Sequence, residues 1–209
     1  MKTLAIIGSG TLGLQMAHYA IADKHYDKVV FIDDFATEKE KNGYPIIGKT
    51  NEVEKLYKQG FLEELIIGIG YKHLEVKKEL YDFFLGKIPF GKIIHSSCWV
   101  DPTSVIEEGC FIYPCCVLDV NVIIKANTIL NLNCTIAHDT VIGNHSFLSP
   151  RIAVAGFVTI GELCFLGINA TIIDNINIAK QTQIGGGAVV IQSIKKNGLY
   201  VGNPAKFIR

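Results

Sequence analysis

The stretch TIAHDTVIGNHSFLSPRI, residues 135–152, decides the fold because an aliphatic residue returns in it at every sixth position. The same period continues without a break in both directions, over Val100, Ile106, Ile112, Leu118, Ile124, Leu130, Ile136, Ile142, Leu148, Val154, Ile160, Leu166, Ile172, Ile178, Ile184 and Val190. A unit of this length is one short strand and a turn, which cannot bury its own apolar side, so consecutive units must stack. The repeat therefore predicts a parallel β-helix with three units in each triangular coil.

Residues one coil apart are expected to lie above one another, at the inter-strand spacing of about 4.8 Å. Ile136, for example, is expected between Leu118 and Val154. Four places after each aliphatic residue comes a small or β-branched one, at Ser104, Cys110, Cys116, Val122, Thr128, Cys134, Thr140, Ser146, Ile152, Val158, Cys164, Ala170, Ile176, Thr182 and Ala188. Four of the six cysteines fall in this series, so we interpret them as small core residues.

The residues before the repeat lack this period and alternate between strand-like and helix-like segments. The apolar run KTLAIIGSG (2–10) ends in glycines, TLGLQMAHYAIAD (11–23) has helical spacing, and KVVFIDD (28–34) and EELIIGIG (63–70) supply two more buried strands. This order predicts an α/β, Rossmann-like βαβ half-domain over residues 1–96, followed by the β-helix over residues 97–209.

Gly8, Gly10 and Gly13 form the pattern G-x-G-x-x-G directly after the first strand, and Asp33 ends the next strand. This arrangement is typical of dinucleotide binding, because the glycines let the backbone approach a pyrophosphate while the acid binds ribose hydroxyls. The segment is too short for the two mononucleotide-binding halves that a dinucleotide needs. We therefore favour a ligand with a single nucleoside diphosphate, such as a nucleotide sugar. An intact dinucleotide and purely structural glycines are the alternatives.

Composition narrows the classes of partner. Twenty basic and twenty acidic side chains balance, so no broad electropositive face for nucleic acid or anionic lipid is implied. The apolar start is interrupted by glycines, and no run approaches membrane-spanning length. We therefore expect a cytoplasmic protein with reduced cysteines, no nucleic-acid partner and no membrane insertion.

Taken in this order, the βαβ segment, the unbroken repeat and HDTVIG (138–143) resemble the PglD/NeuD-like bacterial sugar acyltransferases. The motifs that carry the resemblance span the chain: IGSGTLG (7–13), FIDD (31–34), GIG (68–70), NLNCTIAHD (131–139), FLGINATI (165–172), IGGGAVV (184–190) and YVGNPAK (200–206). The resemblance implies a homotrimer of left-handed parallel β-helices that transfers an acetyl group from acetyl-CoA to an amino or hydroxyl group of a sugar. The handedness comes from the resemblance alone, since it opposes the usual right-handed crossover preference.

The resemblance also assigns residues to the nucleotide sugar. It places the nucleotide end of the sugar against Gly10, Thr11, Leu12, Asp33, Asp34 and Gly70. The glycine pattern and Asp33 already predict a nucleoside-diphosphate site in this region. Asn131 matches a family asparagine near the acceptor.

His138 and Asp139 occupy positions that packing alone does not explain. An amine or hydroxyl that attacks a thioester must lose a proton, and a neutral imidazole with an ordinary pKa of about 6.5 suits that task. We therefore predict that His138 is the general base and that Asp139 fixes its tautomer and raises its basicity. Direct transfer needs no acyl-enzyme, and in the family the two substrates meet in the cleft between neighbouring prisms.

For the donor, the resemblance places acetyl-CoA along a prism edge, against the backbone around Ile168 and Gly186. Family members often carry a second histidine nine residues after the catalytic one, and this chain has Phe147 there. His145 either replaces that histidine or is a turn residue, and we favour the turn interpretation.

Three alternatives to N-acetylation of an aminosugar linked to UDP or dTDP follow from the same residues. The first is O-acetylation of a sialic-acid-like sugar by the same machinery. The second is a prism-type carbonic anhydrase, which needs three histidines converging on zinc, whereas the repeat region offers only His95, His138 and His145. The third is a sugar-nucleotide sensor or scaffold without turnover. We favour the N-acetyltransferase, serving bacterial surface glycans such as lipopolysaccharide O-antigen and needing no metal.

Overall fold

The computed structural model describes residues 2–209, and the chain divides into two compact units, Met1–Ile93 and Ile94–Arg209. The expected boundary lay at residue 96, just before the first repeat. By its internal contacts the second unit begins at Ile94, whose side chain packs against its apolar core.

The first unit is built around a five-stranded sheet with helices in the connections. Its elements are β1 (Thr3–Ile7), α1 (Thr11–Ala22), β2 (Lys28–Ile32), β3 (Glu40–Lys41), β4 (Tyr44–Gly48), a 3₁₀ turn (Thr50–Glu52), α2 (Val53–Lys58), β5 (Glu64–Ile67), a second 3₁₀ turn (Tyr71–His73) and α3 (Leu74–Phe84). The strand order is β3-β4-β2-β1-β5, with β2, β1 and β5 parallel. All five residues of the interior strand β1 are buried, as expected for a parallel strand covered on both faces.

From β6 to β22 the second unit consists of two-residue strands separated by four-residue turns. Its strands are β6 (Ile93–Ile94), β7 (Trp99–Val100), β8 (Val105–Ile106), β9 (Phe111–Ile112), β10 (Val117–Leu118), β11 (Ile123–Ile124), β12 (Ile129–Leu130), β13 (Thr135–Ile136), β14 (Val141–Ile142), β15 (Phe147–Leu148), β16 (Ala153–Val154), β17 (Thr159–Ile160), β18 (Phe165–Leu166), β19 (Thr171–Ile172), β20 (Asn177–Ile178), β21 (Gln183–Ile184), β22 (Val189–Val190), β23 (Leu199–Val201) and β24 (Lys206–Phe207).

Three parallel sheets form the sides of this prism, with every third strand in the same sheet. Ile136 pairs with Leu118 on one side and with Val154 on the other, as predicted. The predicted βαβ unit followed by a left-handed parallel β-helix is confirmed.

The small residues of the repeat do more than fill the core. Their hydroxyl and thiol groups donate hydrogen bonds to a backbone carbonyl fifteen residues later, as Thr140 does to Ala155 at 2.9 Å and Cys134 does to Ser149 at 3.3 Å. Cys110, Cys116, Cys134 and Cys164 are fully buried, and burial raises the pKa of the Cys164 thiol to about 11. The buried Cys164 thiol is therefore a structural and unreactive group.

Each turn between β8 and β22 places one residue in the left-handed backbone region. The position recurs every six residues from Gly109 to Gly187, and it is filled by residues as different as Asn121, Asp139 and Phe157. Asparagine, aspartate and glycine tolerate this conformation best. Within residues 2–209, none of the helices has the length and apolar content needed to cross a bilayer.

Candidate active site

His138 lies at the turn after β13, where nearly half of its side chain is exposed. Its Nδ1 lies 3.0 Å from Oδ2 of Asp139. A carboxylate accepts a hydrogen bond and cannot donate one, so this contact assigns the proton of a neutral ring to Nδ1. Nε2 then carries the free lone pair, and it has no partner among the described residues.

Asp139 is itself held from the preceding coil. The side-chain amide of Asn121 donates to its Oδ1 at 3.0 Å. The hydrogen bonds with His138 and then with Asn121 hold the pKa of this carboxyl below its usual range. Asp139 is therefore ionised at neutral pH and can orient and stabilise an imidazolium.

Two residues of the following coil complete the surroundings of the imidazole. Its ring lies directly over Gly156, and the ring of Phe157 meets it edge-on with 5.0 Å between centroids. The sequence interpretation missed Asn121, Gly156 and Phe157. The eighteen-residue period contained the signal, because Asn121 and Phe157 are one coil before and after Asp139, and Gly156 is one coil after His138.

The other predicted residues of the β-helix lie on a different edge of the prism. We call the turns 119–122, 137–140, 155–158 and 173–176 the His138 edge, and the turns 131–134, 149–152, 167–170 and 185–188 the Ile168 edge. Asn131, Ile168 and Gly186 are all on the Ile168 edge. Ile168 is half exposed and lies over Gly186 one coil later, and Asn131 uses its Oδ1 to accept from the backbone N–H of Leu132.

The sheet that contains β13, β16 and β19 joins these two edges. It bears a shallow cavity of about 340 Å³, lined by Thr135, Ala153, Val154, Ala155, Thr171, Ile172, Ile173 and Asp174. One chain thus presents the imidazole at one end of this face and the expected donor contacts at the other.

His145 and Phe147 are both buried. His145 occupies a left-handed turn position, with its Nδ1 3.0 Å from Nδ2 of Asn127. Phe147 packs on Phe165 in the neighbouring strand, with 6.2 Å between centroids. Phe147 is therefore part of the packed scaffold, so replacing it with histidine would place a polar ring in a buried position.

The first unit has a cavity of about 480 Å³ where β1 runs into α1. Its lining residues are Ser9, Gly10, Thr11, Leu14, Asp33, Phe35, Ala36, Thr37, Glu38 and Lys41. Gly10 precedes α1 and no side chain caps the helix, so the N–H groups of its first turn face the site without an intrahelical partner. Of the residues predicted to bind the nucleotide, Gly10, Thr11 and Asp33 line this cavity.

The three glycines of the pattern have different reasons to be glycine. Gly8 has a φ of +100°, and a Cβ on Gly13 would lie 2.0 Å from the carbonyl oxygen of Gly8. A Cβ on Gly10 would meet nothing within 4 Å. The structural-glycine alternative therefore applies to Gly8 and Gly13, whereas Gly10 leaves open space at the cavity.

The carboxylate of Asp33 accepts hydrogen bonds from the loops around the cavity. Its Oδ2 accepts from the backbone N–H and the hydroxyl of Ser9, at 2.8 and 2.6 Å, and its Oδ1 accepts from the backbone of Phe35 and Ala36. Partial burial would raise the pKa of this carboxyl, but these hydrogen bonds outweigh it and hold the pKa below the usual range. Since the four bonds occupy its acceptor sites, Asp33 shapes the cavity wall, and a ribose hydroxyl would have to share or displace one of them.

Leu12, Asp34 and Gly70 lie outside the lining of this cavity. Asp34 accepts from the backbone N–H and the hydroxyl of Thr50, at 2.8 and 2.7 Å, and lines a separate cavity. Gly70 precedes the second 3₁₀ turn, and Leu12 is half-buried in the first turn of α1. Phe35 and Lys41, which sequence reasoning missed, do line the cavity, and the ring of Phe35 is 94 % exposed.

The described residues do not form a cluster of potential metal ligands. Residues 2–209 contain no group of three or more His, Cys, Asp or Glu side chains arranged to hold a metal ion. The carbonic anhydrase alternative would need His145, which is buried against Asn127.

Comparison with known proteins agrees with the two-unit description. Residues 3–83 match the family model of the PglD N-terminal domain. The acetyltransferase domain of PglB from Neisseria gonorrhoeae superposes with a TM-score of 0.92 at 26% identity, over 100% of both chains. PerB from Caulobacter crescentus, solved in complex with CoA and GDP-perosamine, superposes with a TM-score of 0.87 at 26% identity, over 100% of this chain and 98% of that one.

Curated relatives are matched over short segments. UDP-3-O-acylglucosamine N-acyltransferase from Bordetella pertussis is 35% identical over 60 residues, 29% of this chain and 16% of that protein. An acetyltransferase-like protein of Saccharomyces cerevisiae is 44% identical over 52 residues, so the chain covers 26% of the length of that protein. The resemblance to the PglD-like sugar acyltransferases is confirmed by the family model and by the full-length structural neighbours together.

Proposed function

We propose that this chain transfers an acetyl group from acetyl-CoA to the amino group of a nucleotide-linked amino-deoxysugar. The observation that carries the proposal is the exposed imidazole of His138, whose Nδ1 faces an ionised carboxylate and whose Nε2 is free. PerB, which superposes over the whole chain, was solved with CoA and GDP-perosamine, an activated sugar of the class proposed here.

His138 acts as the base in a direct transfer. As the sugar nitrogen bonds to the thioester carbonyl carbon, Nε2 removes its proton, and Asp139 stabilises the imidazolium that forms. The C–S bond then breaks, the acetyl group stays on nitrogen as an amide, and the proton passes to the departing CoA sulfur. His138 returns to its neutral state and no acyl-enzyme forms.

A nitrogen acceptor fits a site whose proposed activating groups are His138 and Asp139. A sugar hydroxyl has a very high pKa, so its attack benefits from stronger activation and from oxyanion-stabilising side chains. A neutral amine is already nucleophilic, so the His138–Asp139 pair is sufficient.

The first unit supplies the proposed nucleotide site. We assign the diphosphate to the N-terminus of α1 at Gly10 and Thr11, with Lys41 as a nearby cation on the cavity wall. Asp33 holds the loops that shape this cavity. Leu12, Asp34 and Gly70 remain predicted nucleotide contacts that would require a ligand extending beyond the cavity. Because acetyl-CoA is used in the cytoplasm, we assign the protein to that compartment.

The proposed assembly is a homotrimer with shared active sites. One chain holds His138 on one edge and the proposed acetyl-CoA contacts, Ile168 and Gly186, on another, so a second copy is the simplest way to bring them together. Asn131, the proposed acceptor contact, is also on the Ile168 edge.

Subunit mixing tests this assembly. His138→Ala and Ile168→Asp chains are each expected to be inactive alone, and co-assembled chains are expected to recover activity because some sites receive both intact edges. A fully active monomer in sedimentation, or no recovery from verified mixed trimers, would contradict the shared site.

The reaction is tested with a panel of UDP-, dTDP- and GDP-linked aminosugars and acetyl-CoA, following the release of free thiol. Mass spectrometry of the product before and after mild alkali identifies the acceptor atom, because an amide survives treatment that removes an ester. An alkali-labile acetyl group would support the O-acetyltransferase alternative. Tight binding of a nucleotide sugar without thiol release across the panel would support the sensor alternative.

A further inference from the structure

We propose that Gly156 and Asn121 are positioning residues for His138, supplied by the coils on either side of it. The proposal rests on the proposed function, because it concerns how the base of that reaction is held. Neither residue is assigned a contact with substrate.

The turn position of Gly156 does not require glycine. Its φ lies outside the left-handed region, and the equivalent position in the other coils of the His138 edge carries Val120, His138 and Asp174. A side chain is therefore compatible with the backbone at this point of the turn.

What requires glycine is the imidazole above it. A Cβ on Gly156 would lie 2.6 Å from Cε1, 2.7 Å from Nε2 and 3.1 Å from Nδ1 of His138. Real carbon atoms do not approach so closely, so an added methyl group would push the ring out of its present position. The three nearest atoms all belong to the ring of His138, so this ring is what an added methyl group would displace first.

The prism provides an internal comparison for this interpretation. Of the residues at this turn position from Pro102 to Gln192, only Gly156 and Gly186 are glycines. Gly186 lies one coil after Ile168, and a Cβ there would lie 3.2 Å from Cγ2 of Ile168. Both glycines thus make room for a residue placed in the proposed site.

Asn121 acts from the other side, through Asp139. Its amide donates to Oδ1, while Oδ2 faces the imidazole, so the two bonds fix the plane of the carboxylate. Without Asn121 the carboxylate is free to rotate about its side-chain torsions, and the hydrogen bond that orients His138 becomes one of several arrangements.

A double-mutant cycle tests the proposal. Gly156→Ala is expected to lower kcat on the order of 10²-fold, the usual effect of misplacing a catalytic group, with KM for both substrates unchanged. Asn121→Gly, which suits the left-handed turn, is expected to lower kcat on the order of 10-fold, as for a lost hydrogen bond to a charged group. In a His138→Ala background both substitutions are expected to have no further effect.

Asn133→Gly is the matched control, because Asn133 occupies the same left-handed turn position on the Ile168 edge. Its kcat and melting temperature are expected to equal those of the original chain. Losses by Gly156→Ala or Asn121→Gly that persist in the His138→Ala background would overturn the proposal, because those residues would then act on the fold or on substrate binding.

A second readout does not depend on turnover. The rings of His138 and Phe157 lie 5.0 Å apart between centroids, so the NMR shifts of the His138 ring protons report the position of the imidazole, and Gly156→Ala is expected to move them. An unchanged shift and unchanged kcat would overturn the positioning role alone. Absence of acetyl transfer by the original chain would instead overturn the proposed function, while the shift would still test whether Gly156 positions the ring.

Discussion

The two units use glycine for different purposes. In the first unit, Gly8 and Gly13 are required by backbone conformation and by contact with each other, and only Gly10 leaves open space. In the β-helix, Gly156 and Gly186 occupy a turn position where other coils carry side chains. A repeated scaffold therefore contains its own controls, because a departure from the repeat identifies a local requirement. In the first unit, which has no repeat, only the contacts in the folded structure distinguish the roles of Gly8, Gly10 and Gly13.

The two turn histidines of the β-helix give the largest expected contrast. His138→Ala is expected to lower turnover on the order of 10² to 10⁴-fold, as for loss of a general base, with an unchanged melting temperature. His145→Ala is expected to destabilise the prism because the side chain is buried, while losing much less activity per folded molecule. Steady-state kinetics and thermal unfolding of both variants measure the contrast. Near-normal turnover of His138→Ala would show that another group is the base.

Two phenylalanines of the β-helix, Phe147 buried and Phe157 exposed, give the next largest expected effect. Phe147→His is expected to lower the free energy of unfolding by about 2 to 4 kcal/mol, because a buried ring packed on Phe165 is replaced by a smaller polar one. Phe157→His is the control, since more than half of its side chain is exposed. Chemical denaturation measures both values, and equal stabilities would mean that Phe147 is not a packed residue.

In the first unit, Gly13→Ala and Gly10→Ala separate packing from binding. The added Cβ at Gly13 meets the Gly8 carbonyl, so a loss of about 1 to 3 kcal/mol is expected. Gly10→Ala is expected to leave the melting temperature unchanged and to weaken binding of the nucleotide sugar, measured by calorimetry, without weakening acetyl-CoA binding. If Gly10→Ala weakened only acetyl-CoA binding, the cavity would belong to the donor.

The smallest expected effect is the pH dependence of the first unit. The folded pKa of Asp33 is depressed, so its hydrogen bonds stabilise the fold above the unfolded carboxyl pKa of about 3.9 and lose this contribution as the pH falls through the folded value. The melting temperature of Asp33→Asn is therefore expected to lie below that of the original chain at pH 7 and to approach it below about pH 4. Asp34→Asn is the comparison, since Asp34 bonds Thr50 outside this loop. A constant difference across this range would contradict the ionised role of Asp33.

Much of the β-helix follows from the sequence because its period is a local property. The aliphatic residues, the core cysteines and the stacking of Ile136 on Leu118 and Val154 all follow from counting six and eighteen positions. The pairing of His138 with Asp139 was also predictable, since the two are adjacent in the chain. Handedness was not, because a six-residue repeat fits either hand, and it came only from the resemblance.

Tertiary structure decided what lies around each predicted residue. Asp33 carries the strand-end position of a ribose-binding acid, yet its acceptor sites are taken by Ser9, Phe35 and Ala36, which come together only when the loops fold. Phe147 stands where members of the resembling family often carry a second histidine, and the packing of neighbouring coils makes it a buried ring. Sequence spacing determines which residues share an edge or a strand end, whereas hydrogen bonds and excluded volume depend on side-chain placement across coils. For that reason the proposed base, His138, could be named from the sequence, and the glycine beneath it only from the fold.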